Sequence, residues 1–245
     1  MINKIRFISV LFVSALFSNF NAQILDEYPT DQYFYEGGEV SLYKEIHQIL
    51  VDEKVSNCDA KEIYQPRIIV TKEGSVKIVK DTDVDQIAKN KCAYDVSMLV
   101  LKNLNNWKPA EVYNNKYSAI TEFIVYPKHL MNEYKEGYVA SRYLIPAQYP
   151  KGFKAFDKDL HDNFMALFSD YHINGKFNLE FYISEEGKII NPRIFPSIFD
   201  PVFNNEFLRT LSRLKKVWKP AFYNDIPIKY RISNPMSFSI TFEER

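Results

Sequence analysis

The tetrapeptide Trp-Lys-Pro-Ala occurs at 107–110 and again at 218–221, and the two copies hold the chain's only tryptophans. A likeness confined to four letters would mean little, but this one spreads outward on both sides. "YEGGEVSLYKEIHQIL" (35–50) lies over "YPKGFKAFDKDLHDNF" (149–164) without a gap, matching Tyr35 to Tyr149, Gly38 to Gly152, Ile46 to Leu160 and His47 to His161. "RIIVTKEGSVKIVK" (67–80) lies over "LEFYISEEGKIINP" (179–192), aligned at Gly74 and Gly187. Both tetrapeptides lead into a Tyr-Asn and a further strand-like run. The chain therefore reads as a tandem repeat with a unit of about 100 residues, and the fold must be one that can be built twice.

Unit two shows the element order most clearly. Phe156, Leu160 and Phe164 recur every four residues, the stripe of an amphipathic helix. "KFNLEFYIS" alternates, with Phe177, Leu179, Phe181 and Ile183 on one face. "EEG" (185–187) predicts a hairpin turn into "KIINPRIF". A second helix is predicted through Phe203, Phe207, Leu211 and Leu214, ending at Trp218 with Pro220 as its stop. A last strand, "MSFSITF" (236–242), follows. Unit one repeats this order with Leu42, Ile46 and Ile49 in its first helix, a turn at "KEG" (72–74), and Val96, Val100 and Leu104 before Trp107. The predicted class is α+β: two tandem α-β-β-α-β units, each with two helices packed on a small antiparallel sheet. The units are expected over 33–126 and 147–245, with "PKHLMNEYKEGYVASRYLIP" (127–146) as an aperiodic connector.

The amino terminus carries an address. Lys4 and Arg6 precede the apolar run "FISVLFVSALF" (7–17), then small and polar residues follow. That layout predicts a signal peptide over 1–22, cleaved after Ala22 and leading to the periplasm or beyond. An uncleaved anchor is the competing reading, although the run is shorter than the roughly 20 apolar residues a membrane-spanning helix needs. In an exported chain the two cysteines, Cys58 and Cys92, read as one structural disulfide, contributing roughly 4 kcal/mol by loop closure. Acidic and basic residues balance at 31 each, which lacks the basic footprint of a nucleic-acid partner.

With these elements in place, the sequence resembles the TonB C-terminal domain in its Bacteroidetes-type envelope form. In unit two "AQYPKGFKAF" (147–156), "GKFNLEFYISEEGKI" (175–189), "VWKPA" (217–221) and the final "SFSITF" follow the family pattern in order. In unit one "YEGGEVSLYKEI", "IIVTKEGSVKIV", "WKPA" and "NNK" (114–116) do so, with Glu36 where the pattern has Pro. The resemblance implies a non-catalytic module that binds an envelope protein, a TonB-dependent outer-membrane transporter or a TonB-system component, by adding an extended segment to a sheet edge. It places that edge on the closing strand, marked in unit two by Met236, Phe238, Ile240 and Phe242. The alternative is a membrane-anchored TonB-type energy transducer for outer-membrane transport. Against it, about a dozen residues with one proline separate Ala22 from unit one, a spacer of at most roughly 40 Å.

Other chemistry is weaker in the sequence. His47 and His161 share a repeat position, yet neither has a Ser, Cys or carboxylate placed as an obvious partner, so they are expected as partly buried structural residues. An enzyme without a visible motif is the remaining alternative. "YEGG" lacks the Gly-Lys-Ser/Thr of a phosphate loop and predicts a turn before a helix. "DTDVDQ" (81–86) lacks the spacing of a calcium loop and predicts a solvated loop. No metal and no cofactor is expected.

Overall fold

Leu42, Ile46 and Leu50 fall one turn apart and form the buried stripe of helix α1 (Gly38–Asp52), joined by Tyr43. Ile49, expected on that stripe, is half-buried, because the row through Leu42 and Ile46 continues at Leu50. The structure, a computed structural model, describes residues 24–166, 175–195, 201–214 and 217–238. The leader expected over 1–22, and Ile240 and Phe242, lie outside the described residues. The chain is α+β and divides after Tyr138 into two compact units.

In unit one, β2 (Arg67–Val70) buries Ile68 and Val70 and turns at Gly74 into β3 (Val76–Ile78). A short helix α2 (Val84–Lys89) follows. It begins inside "DTDVDQ", which is a capping sequence and not the solvated loop expected. Asp83 caps the helix by accepting from the Gln86 N–H at 3.1 Å, and Asp81 accepts from the Asp83 N–H and the Tyr64 hydroxyl, both at 2.9 Å. Helix α3 (Lys91–Asn103) packs on α1. Its amino terminus is fixed twice. The Glu62 carboxylate accepts from the N–H groups of Cys92 (2.7 Å) and Ala93 (3.1 Å), and Cys92 is disulfide-bonded to Cys58 with Cα atoms 5.6 Å apart.

Strands β4 (Ala110–Val112) and β5 (Asn115–Glu122) form a hairpin whose two loop residues, Tyr113 and Asn114, sit at φ 50° and 62°. That is a type I′ turn, whose twist matches its strands. β5 runs antiparallel to β2, and β1 (Ile24–Leu25) runs parallel along β5's other side. The sheet order β1-β5-β2-β3 is therefore mixed, not purely antiparallel as expected. Unit one also absorbs the first part of the expected connector. Helix α4 (Pro127–Met131) packs on α1 and buries His129 and Leu130, and Tyr138 is buried as well.

Unit two starts with β6 (Leu144–Ile145) and α5 (Phe153–Met165), then β7 (Gly175–Ile183), β8 (Ile189–Phe195) and α6 (Pro201–Ser212). It ends with β9 (Ala221–Tyr223), β10 (Ile226–Ile228) and β11 (Tyr230–Phe238). Phe156, Leu160 and Phe164 from α5 meet Phe203 and Phe207 from α6 over the inner face of β7, a single aromatic-rich core. One sheet runs β11-β7-β8, and a second small sheet runs β10-β9-β6. Asn224 and Asp225 repeat the type I′ turn at φ 46° and 65°. The closing strand starts at Tyr230, earlier than the expected 236, and contains Pro235.

The duplicated tetrapeptide does a different job from the one its sequence suggests. The helices end at Asn103 and Ser212, several residues before either tryptophan, and Leu104 is already extended (φ −74°, ψ 132°). Pro109 and Pro220 are therefore not the helix stops. Trp107 instead bridges to Tyr35, ring against ring at 5.1 Å, and Trp218 meets Tyr149 at 5.1 Å and Phe156 at 5.2 Å. The following lysine N–H groups pair with the extended segment before each unit's first helix: Lys108 to the Phe34 carbonyl (3.0 Å), Lys219 to that of Gln148 (2.8 Å). The tyrosine hydroxyls reach forward ten residues to a helix carboxylate, Tyr35 to Glu45 at 2.5 Å and Tyr149 to Asp159 at 2.8 Å. Ile69 pairs with Ile120 and Tyr182 with Arg231, in each case five residues before the hairpin glycine and thirteen after the tryptophan. Register, turn and aromatic lock all repeat.

Candidate functional site

The resemblance points to the closing strands, and the two units treat theirs differently. In unit one, β5 is bounded on its outer side by β4 and by β1, with Ile24 opposite Ser118 and Leu25 opposite Ala119. In unit two the corresponding residues, taken at the same distance from the tryptophan, are Lys229 and Tyr230. Among the described residues no strand pairs with the far side of β11, so the sheet ends there. β11 pairs with β7 over nine positions, from Tyr230 opposite Ile183 to Phe238 opposite Gly175.

The strand is held firmly from its inner side. Ile232 is buried in the core, and Met236 is partly buried against it. Asn234, also buried, donates to the Asp157 carboxylate on α5 at 2.9 Å. On the opposite sheet face Glu180 of β7 is buried between two arginines. Arg193 of β8 donates to it at 2.6 Å, and Arg231 of β11 donates to its other oxygen. Burial acts to raise the Glu180 carboxyl pKa, but the bonds from Arg193 and Arg231 outweigh it and hold the group below its ordinary value. Lys229 lies 5.6 Å over the Tyr182 ring beside this trio. Three strands are thus tied across their width at Glu180, beside the register shift between β7 and β8.

Pro235 fixes the polarity of the edge. It has no N–H, so it suits a non-hydrogen-bonded pair with Asn178. By the alternation of antiparallel pairs, the N–H groups of Ser233 and Ser237 then point away from β7. The arrangement offers a row of backbone donors and acceptors and no reactive side chain.

Of the residues predicted from sequence, Met236 packs on the core and Phe238 ends β11, while Ile240 and Phe242 lie outside the described residues. Cys58 and Cys92 form their bond far from this edge in sequence, within unit one. The paired histidines diverge. His47 Nδ1 lies 2.7 Å from the Leu130 carbonyl, and its ring stacks on Tyr134 at 3.9 Å. His161 is exposed on α5, with its side chain 66% accessible, so it is not the partly buried residue expected. Sequence reading missed Ser233 and Ser237, although a proline inside an alternating run is itself an edge-strand signal. Among the described residues no group of three or more His, Cys, Asp or Glu could hold a metal ion. No helix there is long and apolar enough to cross a membrane.

No protein-family model, no curated protein and no solved structure matches this chain.

Proposed function

We propose that this chain is an exported, non-catalytic protein-binding module of the cell envelope, similar to the TonB C-terminal domain. Its partner adds an extended segment along β11 of unit two. The observation that carries this reading is the nine-residue strand at the sheet's end, with no strand on its far side among the described residues. Pro235 removes one outward donor and so guards this edge against indiscriminate pairing, while Ser233 and Ser237 keep theirs, which favours a selective use. The partner class is an envelope protein, a TonB-dependent outer-membrane transporter or a component of that system.

The chemistry sets the strength. Ser233, Pro235 and Ser237 present about five outward backbone groups, each contributing about 1 kcal/mol net. Backbone pairing then contributes on the order of 5 kcal/mol before the cost of association, so side-chain contacts along the strand must supply the surplus that sets affinity. A photo-reactive residue at 233 or 237 tests this in whole envelopes. The same envelope protein should be trapped from both positions, and Ser233→Pro should abolish trapping from 237. Trapping that survives Ser233→Pro would sink the strand-addition reading. Mass spectrometry of the chain's amino terminus tests export: a peptide starting at Gln23 supports it, and an intact Met1 in inner-membrane fractions overturns it in favour of the anchored transducer.

A further inference from the structure

The segment that closes unit one's edge is the chain itself. Ile24 and Leu25 pair in parallel with Ser118 and Ala119, and Leu25 packs with Tyr28, Phe34, Ala110 and Ala119 in a small cluster of their own. The Tyr28 hydroxyl lies 3.0 Å from the Lys108 carbonyl and 3.1 Å from that of Tyr33. Burial pushes its pKa up to about 12, so it remains a donor at any ordinary pH. Further along, the Gln32 amide imitates a strand. It donates to the Glu111 carbonyl at 2.7 Å and accepts from the Glu111 N–H at 3.0 Å, closing the side of β4. Residues 24–32 are thus a strap laid along both strands of unit one's β4–β5 hairpin.

We infer that unit one carries a second strand-addition site on β5, occupied by this strap, and that the strap's own sequence describes the ligand. The ligand is an extended peptide running parallel to β5, with an apolar side chain where Leu25 sits and a tyrosine three residues later. The inference rests on the edge-binding reading above and adds to it a cryptic copy that is shut from within. Unit two has no such occupant among its described residues, since β6 pairs with β9 and not with β11. The strap is also built to yield. On the side where β4 already pairs with residues 115–117, β1 pairs with only Ser118 and Ala119 of the rest of β5, and Ile24 is 43% exposed. A segment pairing over more of β5 replaces it with a longer ladder. While attached, the strap competes at the millimolar effective concentration of a short tether, which keeps out weak free peptides.

The test uses the whole protein and a fluorescent peptide of residues 23–30, QILDEYPT, carrying a photo-cross-linker so that its landing site is read by mass spectrometry. Leu25→Asp puts a charge into the apolar cluster and lifts the strap. It should raise the peptide's affinity at least tenfold over wild type, with cross-links on Ser118 and Ala119. Gln32→Ala, which leaves the cluster intact, should raise it about threefold. Affinity within twofold of wild type in a folded Leu25→Asp protein overturns the inference. If that variant unfolds unit one, Gln32→Ala decides by the same criterion. Trapping at 233 and 237 is read separately. Its loss with β5 capture intact sinks the reading of unit two alone, and the converse sinks this inference alone.

Discussion

The hairpin glycines make the duplicated architecture quantitatively testable. Gly74 and Gly187 occupy equivalent turns, both at φ 78°, each donating to the residue three before it, at 2.9 and 3.0 Å. A Cβ at either pays for the left-handed backbone, about 1 kcal/mol. The surroundings then separate them. At Gly74 the added carbon would lie 3.3 Å from the Trp107 carbonyl oxygen, a tight approach that a few tenths of an ångström relieves. At Gly187 it would lie 2.0 Å from the Trp218 carbonyl oxygen, inside the radius of any real contact. That oxygen is backbone, and the Trp218 N–H donates to the Gly187 carbonyl at 3.0 Å, so relief means breaking this bond and moving the aromatic lock. Such overpacking adds about 1–3 kcal/mol. Gly74→Ala should therefore cost unit one about 1–2 kcal/mol, and Gly187→Ala should cost unit two about 2–4 kcal/mol. Hydrogen exchange read by mass spectrometry reports the opening free energy of each unit's peptides separately. Equal losses at the two glycines, or a loss at Gly187 below about 1 kcal/mol, would refute the account of how tryptophan and turn are coupled.

Three further outcomes follow from the contacts. Replacing both Cys58 and Cys92 by Ser should lower unit one's stability by about 4 kcal/mol in urea and leave unit two's exchange unchanged. Glu180's lowered pKa means that its contribution is present above the ordinary value of 4.5 and is lost as pH falls through the lower folded-state value. Unit two's urea midpoint should accordingly drop more steeply between about pH 5 and pH 3 in wild type than in Glu180→Gln, and equal slopes would remove Glu180 from the acid response. Tyr35→Phe and Tyr149→Phe each delete one phenol–carboxylate bond and should cost about 1–2 kcal/mol, confined to the unit that carries the substitution. Comparable exchange losses in both units from either change would contradict the unit-by-unit reading.

Much of the fold was legible because local rules and tertiary packing agree. The Phe156, Leu160 and Phe164 row and the Phe177 to Ile183 alternation have the periods of a helix face and a strand face, and both faces are buried as those periods require. The hairpin turns were legible because few residues other than glycine take positive φ at low cost. The tryptophans misled for the opposite reason. Pro109 and Pro220 forbid a helix beyond them but do not say how far before them it ends, and the aromatic lock to Tyr35 and Tyr149 pulls the chain extended several residues sooner. "DTDVDQ" misled because an Asp that caps and an Asp that is solvated look alike until the neighbouring N–H groups are placed.

By itself the sequence determined that the chain is built twice, the order of each unit's two main helices and the hairpin between them, and, from there being two cysteines, which pair bonds, since each is a property of local periodicity, of a repeat or of a count. Which strand edge is closed and which is left at the sheet's end was decided by tertiary structure alone. Ile24 and Leu25 are two apolar residues with no periodicity, and nothing near them in the chain names Ser118 and Ala119, more than ninety residues away, as their partners. Pairing across such a distance depends on where the rest of unit one places the β4–β5 hairpin. The difference between the closed edge of unit one and the edge of β11, unpaired among the described residues, is therefore a long-range fact, set by backbone groups that every residue carries and that no side chain advertises.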